Sequence, residues 1–381
     1  MDIDHHFTER IIGVGIYAII AVAFYLILCR DNIRIKRTLY MYAIILSSLA
    51  YFFIPATVTD LYRLWITAES YNRFPIMQMV QEIFNGWSSP LGLVYVCIVS
   101  KINPHLLPAI TSMLFYYNVF YIIADYSEKH YISNRVVALV TFLYMSTGVY
   151  GEVISGIRSL LAFSFIARCC YNEIYNDKSI LKNLPIYILA ALFHQGAMVL
   201  VVLRFAAKIL FDEKGMKRIA YLLLLGVVVL VFYNRYESLV QKVMRNAESY
   251  LTTGGFSYIW EFVFNTIFAV ITLLIFYYTS RNQTISTQSI KMRKFVMLIF
   301  AVCIVSINSY SIYHRFILFS SMIALPVFLE VVGERERRTN EYSLSRNNKF
   351  ITGNNLLMMS FVILFLSCLK GNLNGIRFFT L

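Results

Sequence analysis

Long apolar runs, separated by short charged segments, follow one another along the whole chain of 381 residues. The runs lie near residues 11–28, 40–54, 91–99, 106–124, 136–150, 157–171, 186–210, 219–232, 259–278, 295–307, 316–332 and 356–369. A helix needs about 20 apolar residues to cross a bilayer, and an unpaired backbone group in lipid costs several kcal/mol. The pattern therefore predicts an all-α, polytopic integral membrane protein with about 10–12 transmembrane or re-entrant helices.

The composition agrees with this prediction and argues against a soluble domain. Hydrophobic residues make up 59% of the chain and charged residues 14%, whereas about a quarter of an ordinary soluble chain is charged. No stretch between the runs is long enough for a separate domain, so residues 1–381 are predicted to form a single transmembrane domain. The net charge of +13 would suggest nucleic-acid binding in a soluble protein, but here it comes from short loops between apolar runs.

The placement of Lys and Arg predicts the orientation of the chain, because short cytoplasmic loops are rich in both residues. Basic residues cluster in four segments, which are predicted as cytoplasmic loops near 30–37, 208–218, 281–294 and 334–349. The segments 57–89 and 233–258 are then external loops, and the N-terminus is outside.

The segment around His194 conflicts with simple alternation of twelve spans. Alternation would place Lys178 and Lys182 outside, although basic residues of this kind favour the cytoplasm. A broken or re-entrant hairpin at Phe193-His194-Gln195-Gly196 would leave both ends of the run 184–210 inside and remove the conflict. If the short run 91–99 is also re-entrant, Arg158 lies at the outer end of its helix.

Ionisable groups at membrane depth are candidates for function, because they are expensive to bury in lipid. The candidates are His194, Glu152, Arg158, Tyr313-His314-Arg315 and, in the predicted external loop, Asp60, Arg63 and Arg73. Packing offers simpler explanations for two of them. Arg158 could extend its charge to the membrane interface, and His194 could form a hydrogen bond inside the bundle.

Motifs for nucleotide- and metal-dependent chemistry are absent from the sequence. It contains no Walker loop, no dinucleotide fingerprint, no metalloprotease motif, no cysteine-based metal spacing and no paired DxD motif. We therefore expect neither a cofactor nor a metal ion. A membrane glycosyltransferase with this sequence would need a lipid-linked donor.

Two short motifs resemble the EpsG/Wzy family of polysaccharide polymerases. They are GIRSLLA at 156–162 and ALFHQGA at 191–197. In that family an Arg opens one helix and a Phe-His-small pattern breaks a later one, so Arg158 and His194 match those positions. Asp60 and Arg315 are similar to further family positions, although IPAT at 54–57 replaces the family's Arg-x-x-x-Gly before the Asp.

The resemblance implies a metal-independent, GT-C-like glycosyltransferase in the bacterial cytoplasmic (inner) membrane. Such an enzyme joins undecaprenyl-pyrophosphate-linked oligosaccharide repeat units at the outer face of the bilayer, producing capsule, O-antigen or exopolysaccharide. A flippase and a chain-length regulator are its expected partners, and nucleic acid is not.

The resemblance also suggests roles for the candidate residues. His194 is expected to act as the base for the acceptor hydroxyl, with Asp60 or Glu152 as alternatives. Arg158 and Arg315, followed by Arg63 and Arg73, are expected to bind the pyrophosphate.

Two other functions are compatible with a basic polytopic membrane protein. A lipid-linked oligosaccharide flippase would be expected to have two similar helical halves, and no such internal repeat is visible. A membrane O-acyltransferase would be expected to have a histidine in an early helix beside an Arg-Gly step. In this chain His5 and His6 precede the first apolar run instead.

Overall fold

The regular structure of the described residues is α-helical, which confirms the predicted fold class. The structure, a computed structural model, describes residues 3–55, 57, 59–87, 89–147, 149–211, 285–306, 310–341 and 353–373, with the isolated positions 219, 222, 223, 226, 266 and 270. Apart from those positions, the predicted runs 219–232 and 259–278 and the predicted external loop 233–258 lie outside the described residues.

Fourteen helices lie within the described residues. In chain order they are α1 Ile3–Leu28, α2 Ile35–Tyr51, α3 Asp60–Tyr71, α4 Ile76–Gly86, α5 Pro90–Ile102, α6 Leu106–Lys129, α7 Asn134–Ser146, α8 Val149–Ser155, α9 Ile157–Tyr175, α10 Ile180–Phe193, α11 Gln195–Phe211, α12 Thr287–Val305, α13 Tyr310–Glu341 and α14 Gly353–Leu373.

Several of these helices have the length and composition of membrane segments. Among the described residues, Leu106–Lys129 and Tyr313–Arg337 are long and apolar enough to cross a bilayer. The α7–α8 pair, bent by 56°, would add a third crossing if it forms one span. Shorter apolar helices occupy Ile12–Leu28, Pro90–Ile102, Ile180–Phe193 and Asn354–Cys368. The chain is a polytopic membrane protein.

The contacts divide the chain into two compact units. The first unit consists of Met1–Phe74, Val96–Ile157 and Leu325–Leu381. Its core is aromatic: the rings of Tyr17 and Tyr150 stack with centroids 4.9 Å apart. The Tyr17 hydroxyl donates to the Met145 carbonyl at 2.6 Å, and the Tyr150 hydroxyl donates to the Leu46 carbonyl at 2.9 Å. These two tyrosines thus connect α1, α2, α7 and α8.

The second unit consists of Pro75–Tyr95 and Arg158–Ala324, and α10 and α11 form a helical hairpin within it. Within it, Glu173 near the end of α9 accepts hydrogen bonds from Asn183 near the start of α10 and from Arg204 in α11. At the other end of α9, Phe163 contacts the ring of His194, where α10 ends. Therefore α10 runs antiparallel to α9, and α11 turns back at His194 and runs parallel to α9.

This hairpin has the geometry that the sequence predicted for the break at His194. Because α10 and α11 lie side by side, the start of α10 and the end of α11 are at the same level, and His194 is at the tip. Lys178 and Lys182 at the start of α10 are thus brought to the level of Lys208 at the end of α11. The sidedness of that level stays a prediction.

Basic residues collect at the end of the second unit that is opposite to the hairpin tip. The hydroxyls of Tyr175 and Ser289 are 2.7 Å apart, and the Lys294 ammonium lies 5.6 Å from the centroid of the Phe211 ring. These contacts bring the ends of α9 and α11 together with the start of α12. The residues gathered there are Lys178, Lys182, Lys208, Lys291, Arg293 and Lys294. The positive-inside rule favours a cytoplasmic position for this end.

Several segments that were predicted as loops contain helices. The predicted external loop 57–89 contains α3 and α4, whose apolar residues are spaced for one-sided packing. The predicted loop 281–294 overlaps the first turns of α12, and the predicted loop 334–349 overlaps the last turns of α13. Charge does not exclude a helix, because Lys and Arg are good helix formers and continue a helix beyond the hydrocarbon core.

Cysteines at the two ends of the hairpin that lie away from its tip are expected to react on the same side of the membrane. Lys178→Cys and Phe211→Cys, each in a chain whose six native cysteines are replaced, should resist a membrane-impermeant thiol reagent in intact cells and react after permeabilisation. Ser155→Cys is the control that should react from outside. Labelling of the two hairpin variants from opposite sides would contradict the hairpin.

Candidate active site

His194 separates α10 from α11 and is hydrogen-bonded to both helices. Its backbone is extended, with φ −154° and ψ 133°, and its N–H donates to the Ala190 carbonyl at 3.0 Å. Its own carbonyl accepts from the Ala197 N–H at 3.0 Å, and its Nδ1 accepts from the Gly196 N–H at 3.0 Å. The residue therefore ends α10 and caps the first turn of α11, which satisfies backbone groups at a break between apolar helices.

The contact at Nδ1 determines which tautomer His194 adopts when neutral. A nitrogen that accepts a hydrogen bond from a backbone N–H carries no proton, so the proton of the neutral ring is on Nε2. In this state His194 has a donor at Nε2, while its basic lone pair is bound to Gly196. This property matters for the chemical role of the residue.

Phe163 connects the hairpin tip to the start of α13. The centroid of its ring lies 6.0 Å from that of His194, with the two planes at 85°. It also lies 6.3 Å from the ring of Phe316 and 5.8 Å from that of Phe319. Because Phe316 follows Arg315, these contacts bring the start of α13 to the same end of the second unit as His194.

Arg158 and Gly92 lie against the last peptide of α10. A Cβ built on Gly92 would be 2.2 Å from the Phe193 carbonyl oxygen and 3.0 Å from Cδ of Arg158. The start of α5 thus passes so close to the hairpin tip that only a glycine fits. Tyr95, one turn later, places its ring 5.3 Å from that of Phe193. Arg158, in the first turn of α9, is therefore beside the Phe193–His194 step.

Arg158, His194 and Arg315 all belong to the second unit and are half-buried. Cδ of Arg158 lies near the Phe193 carbonyl, which precedes His194. The ring of Phe163 contacts that of His194 and that of Phe316, which follows Arg315. The Tyr313 hydroxyl, two residues before Arg315, is 3.2 Å from the hydroxyl of Thr266. The structure thus places Arg158 beside the hairpin tip and brings the start of α13, which carries Arg315, to the same end of the second unit.

The other predicted site residues belong to the first unit. Asp60 begins α3 and is 3.8 Å from Arg63, with side chains that are 47% and 68% exposed. Arg73 is exposed, with its guanidinium 4.9 Å from the centroid of Phe74. Glu152 is half-buried in α8.

A buried polar cluster at the other end of α9 was not predicted from the sequence. Nε of Arg204 is 2.8 Å from Oε2 of Glu173, and the two side chains are 3% and 2% exposed. Oε1 of the same carboxylate accepts from Asn183 Nδ2 at 2.9 Å and from the Tyr187 hydroxyl at 2.7 Å. Removal of one partner from such a buried pair costs about 3–5 kcal/mol. Arg204 lies within the apolar run 186–210, and that position was the signal by which the sequence could have revealed the pair.

The described residues contain no group of three or more His, Cys, Asp or Glu side chains that could hold a metal ion. Guanidinium, imidazole and backbone groups lie at the hairpin tip. These groups are suited to binding anions and to exchanging hydrogen bonds with hydroxyls.

The comparison with protein-family models decides the family. The model of the EpsG family matches residues 91–345. This chain belongs to the EpsG family. The match covers more than half of the chain and includes Arg158, His194 and Arg315, whereas Asp60, Arg63 and Arg73 precede it. The resemblance found in the sequence is thus confirmed.

Neither a curated protein nor a solved structure matches this chain. The GT-C-like arrangement implied by the family resemblance therefore stays a prediction. Family membership supports a role in polysaccharide polymerisation.

Replacement of Gly92 by alanine is expected to destabilise the protein. The new Cβ would meet the Phe193 carbonyl oxygen at 2.2 Å, so the backbone must move. Overpacking of this kind costs about 1–3 kcal/mol, and thermal unfolding in detergent should show the loss. Gly15→Ala in α1 is the matched control, because nothing lies within 4 Å of its Cβ, and it should be neutral or slightly stabilising. Equal melting temperatures for both variants would rule out the close approach at Gly92.

Proposed function

We propose that this EpsG-family protein polymerises undecaprenyl-pyrophosphate-linked oligosaccharide repeat units into a surface polysaccharide. The reaction is glycosyl transfer at the outer face of the bacterial cytoplasmic membrane. Family membership supports the polymerase class. The position of Arg158 beside the Phe193–His194 step at the hairpin tip supports the location of the active site.

The chemistry of the reaction accounts for the arginines. The bond between the anomeric carbon of the growing glycan and its pyrophosphate breaks, and a bond to the acceptor hydroxyl of the next repeat unit forms. Negative charge accumulates on the departing pyrophosphate, and the hydroxyl proton leaves. Planar guanidinium groups bind such oxygens in bidentate fashion, most strongly where water is excluded. We assign this role to Arg158 and Arg315.

The direction of the helices supports an external active site. Glu173 follows Arg158 by 15 residues in one continuous helix, which is about 22 Å at 1.5 Å per residue. The basic residues at the Glu173 end favour the cytoplasm, so the Arg158 end belongs near the outer face. Lipid-linked repeat units are then met at the outer leaflet. A flippase would supply them there, and a chain-length regulator would act on the product.

His194 can serve this reaction in either of two roles. As the base for the acceptor hydroxyl, which the sequence suggested, it must release a lone pair from the Gly196 N–H. As a hydrogen-bond donor through Nε2 it retains that contact and can stabilise charge on the leaving pyrophosphate. The contact at Nδ1 favours the donor role.

The remaining candidates have secondary places in the proposal. Glu152, which is half-buried, and Asp60 stay the candidates that the sequence offers for a base other than His194. Arg63 and Arg73, both exposed, can contact the pyrophosphate or the glycan as the substrates approach.

Replacement of Arg158 by lysine is expected to reduce polymer formation strongly while the protein level remains normal. Lysine keeps the charge but lacks the planar fork that binds two oxygens. The assay is polymer length on gels after reconstitution with lipid-linked repeat units. Arg37→Lys, at an exposed position in α2, is the control and should behave as wild type. Full-length polymer from Arg158→Lys would exclude Arg158 from the active site.

A pair of substitutions at His194 separates its possible roles. Asparagine can keep the cap to the Gly196 N–H but does not reach the position of Nε2, whereas glutamine offers a donor near that position but no base. If His194 is a donor, His194→Gln should retain much of the activity and His194→Asn should lose it. If it is the base, both variants should lose about 100- to 10,000-fold.

The same pair can also show that His194 has no chemical role. If both variants polymerise at the wild-type rate, the residue only caps α11. Thermal melts must accompany the assay, so that loss of folded protein is not mistaken for loss of chemistry.

A further inference from the structure

A buried polar cluster connects α9 to both arms of the hairpin, at the end away from the tip. It consists of Glu173 in α9, Asn183 and Tyr187 in α10 and Arg204 in α11, and we call it the Glu173 cluster. One carboxylate oxygen accepts from Arg204, and the other accepts from Asn183 and Tyr187. The guanidinium of Arg204 also lies 5.5 Å from the ring centroid of Phe295 in α12.

The cluster lies far along the helices from the proposed active site. Arg204 follows His194 by ten residues, which is about 15 Å of helix, and Asn183 precedes it by eleven, about 16 Å. Groups at this distance do not contact the reacting atoms. The two charges therefore act through the helices that carry them.

The contacts at the two ends of α9 together determine its register against α11. At one end Phe163 lies against the hairpin tip, where a Cβ on Gly196 would be 3.3 Å from its Cζ. At the other end Glu173 binds Arg204 at 2.8 Å. Displacement of α9 by one helical turn, about 5.4 Å, would break the ion pair and leave two unpaired charges in an apolar bundle.

We propose that the Glu173 cluster is a positioning device that holds Arg158 in register with the Phe193–His194 step. The ion pair fixes α9 against α11, and the hydrogen bonds from Asn183 and Tyr187 fix it against α10. Arg158 is part of α9, and the tip joins α10 to α11. The cluster therefore sets the position of Arg158 relative to the tip along the helix axes. This inference rests on the proposed function, because the site that it positions is the polymerase site.

A positioning role predicts that kcat depends on the ion pair even when stability does not. Misplacement of catalytic groups by about 1 Å can cost about 100-fold in rate. Substrate binding depends on a groove to which other elements contribute, so KM should change less. A role confined to charge balance predicts instead that any neutral, well-packed replacement restores the full rate.

The test compares Glu173→Gln with the double variant Glu173→Gln/Arg204→Met. The single variant leaves the Arg204 charge buried without a carboxylate and should lower the melting temperature by about 10 °C. The double variant should regain the wild-type melting temperature, because apolar replacement of a buried ion pair is often neutral. Its glutamine can still accept from Asn183 and Tyr187, but the connection to α11 is lost. We expect its kcat to be lower by about 10- to 100-fold, with KM within about three-fold of wild type.

The more exposed ion pair of Asp125 and Lys129 provides the matched control. Its two atoms are also 2.8 Å apart, but its side chains are 21% and 50% exposed. Asp125→Asn/Lys129→Met should leave both melting temperature and kcat near wild type, because exposed pairs contribute little.

Each outcome of the test has a distinct meaning. A double variant with wild-type stability and wild-type kcat would overturn the positioning role and leave charge balance as the function of the cluster. A wild-type kcat in the single variant would overturn it as well. Wild-type protein that forms no polymer from lipid-linked repeat units would overturn the proposed function instead, and with it the site to be positioned.

Discussion

A charge, or a backbone N–H or C=O that is not hydrogen-bonded within its helix, needs a polar partner when it is buried among apolar helices. This constraint underlies the described structure of the second unit. Glu173 and Arg204 form an ion pair, and Asn183 and Tyr187 donate hydrogen bonds to the other oxygen of the Glu173 carboxylate. At the hairpin tip, His194 satisfies the backbone groups that the break would otherwise leave open. Polar contacts therefore lie at both ends of the hairpin, with apolar helix between them.

The helix break at His194 places polar groups at the hairpin tip. A continuous helix through residues 180–211 would have no tip, whereas the hairpin places His194 at a tip and Arg158 beside its Phe193–His194 step. The glycine at position 92 permits α5 to approach the same step. The proposed glycosyl transfer would use such an arrangement, because a pyrophosphate leaving group needs fixed cations and hydrogen-bond donors rather than a nucleophile.

Much of this could be predicted from residue types and their order. The long apolar runs predicted the all-α membrane fold, and the Phe-His-Gln-Gly interruption predicted the hairpin. The motifs around Arg158 and His194 indicated the EpsG family. The predicted loops at the start of α12 and the end of α13 contain helical turns, because basic side chains can continue a helix into water.

The sequence by itself determined that the chain enters a membrane, because the hydropathy of a run depends only on its own residues. It also determined where a helix must break and which family motifs are present. The tertiary structure alone decided that Glu173 meets Arg204, that Gly92 touches the Phe193 carbonyl, and that Nδ1 of His194 is occupied by Gly196. The first two contacts join residues far apart in the chain, and the third depends on a side-chain rotamer. No local pattern specifies the first two pairings, because they depend on how whole helices pack together.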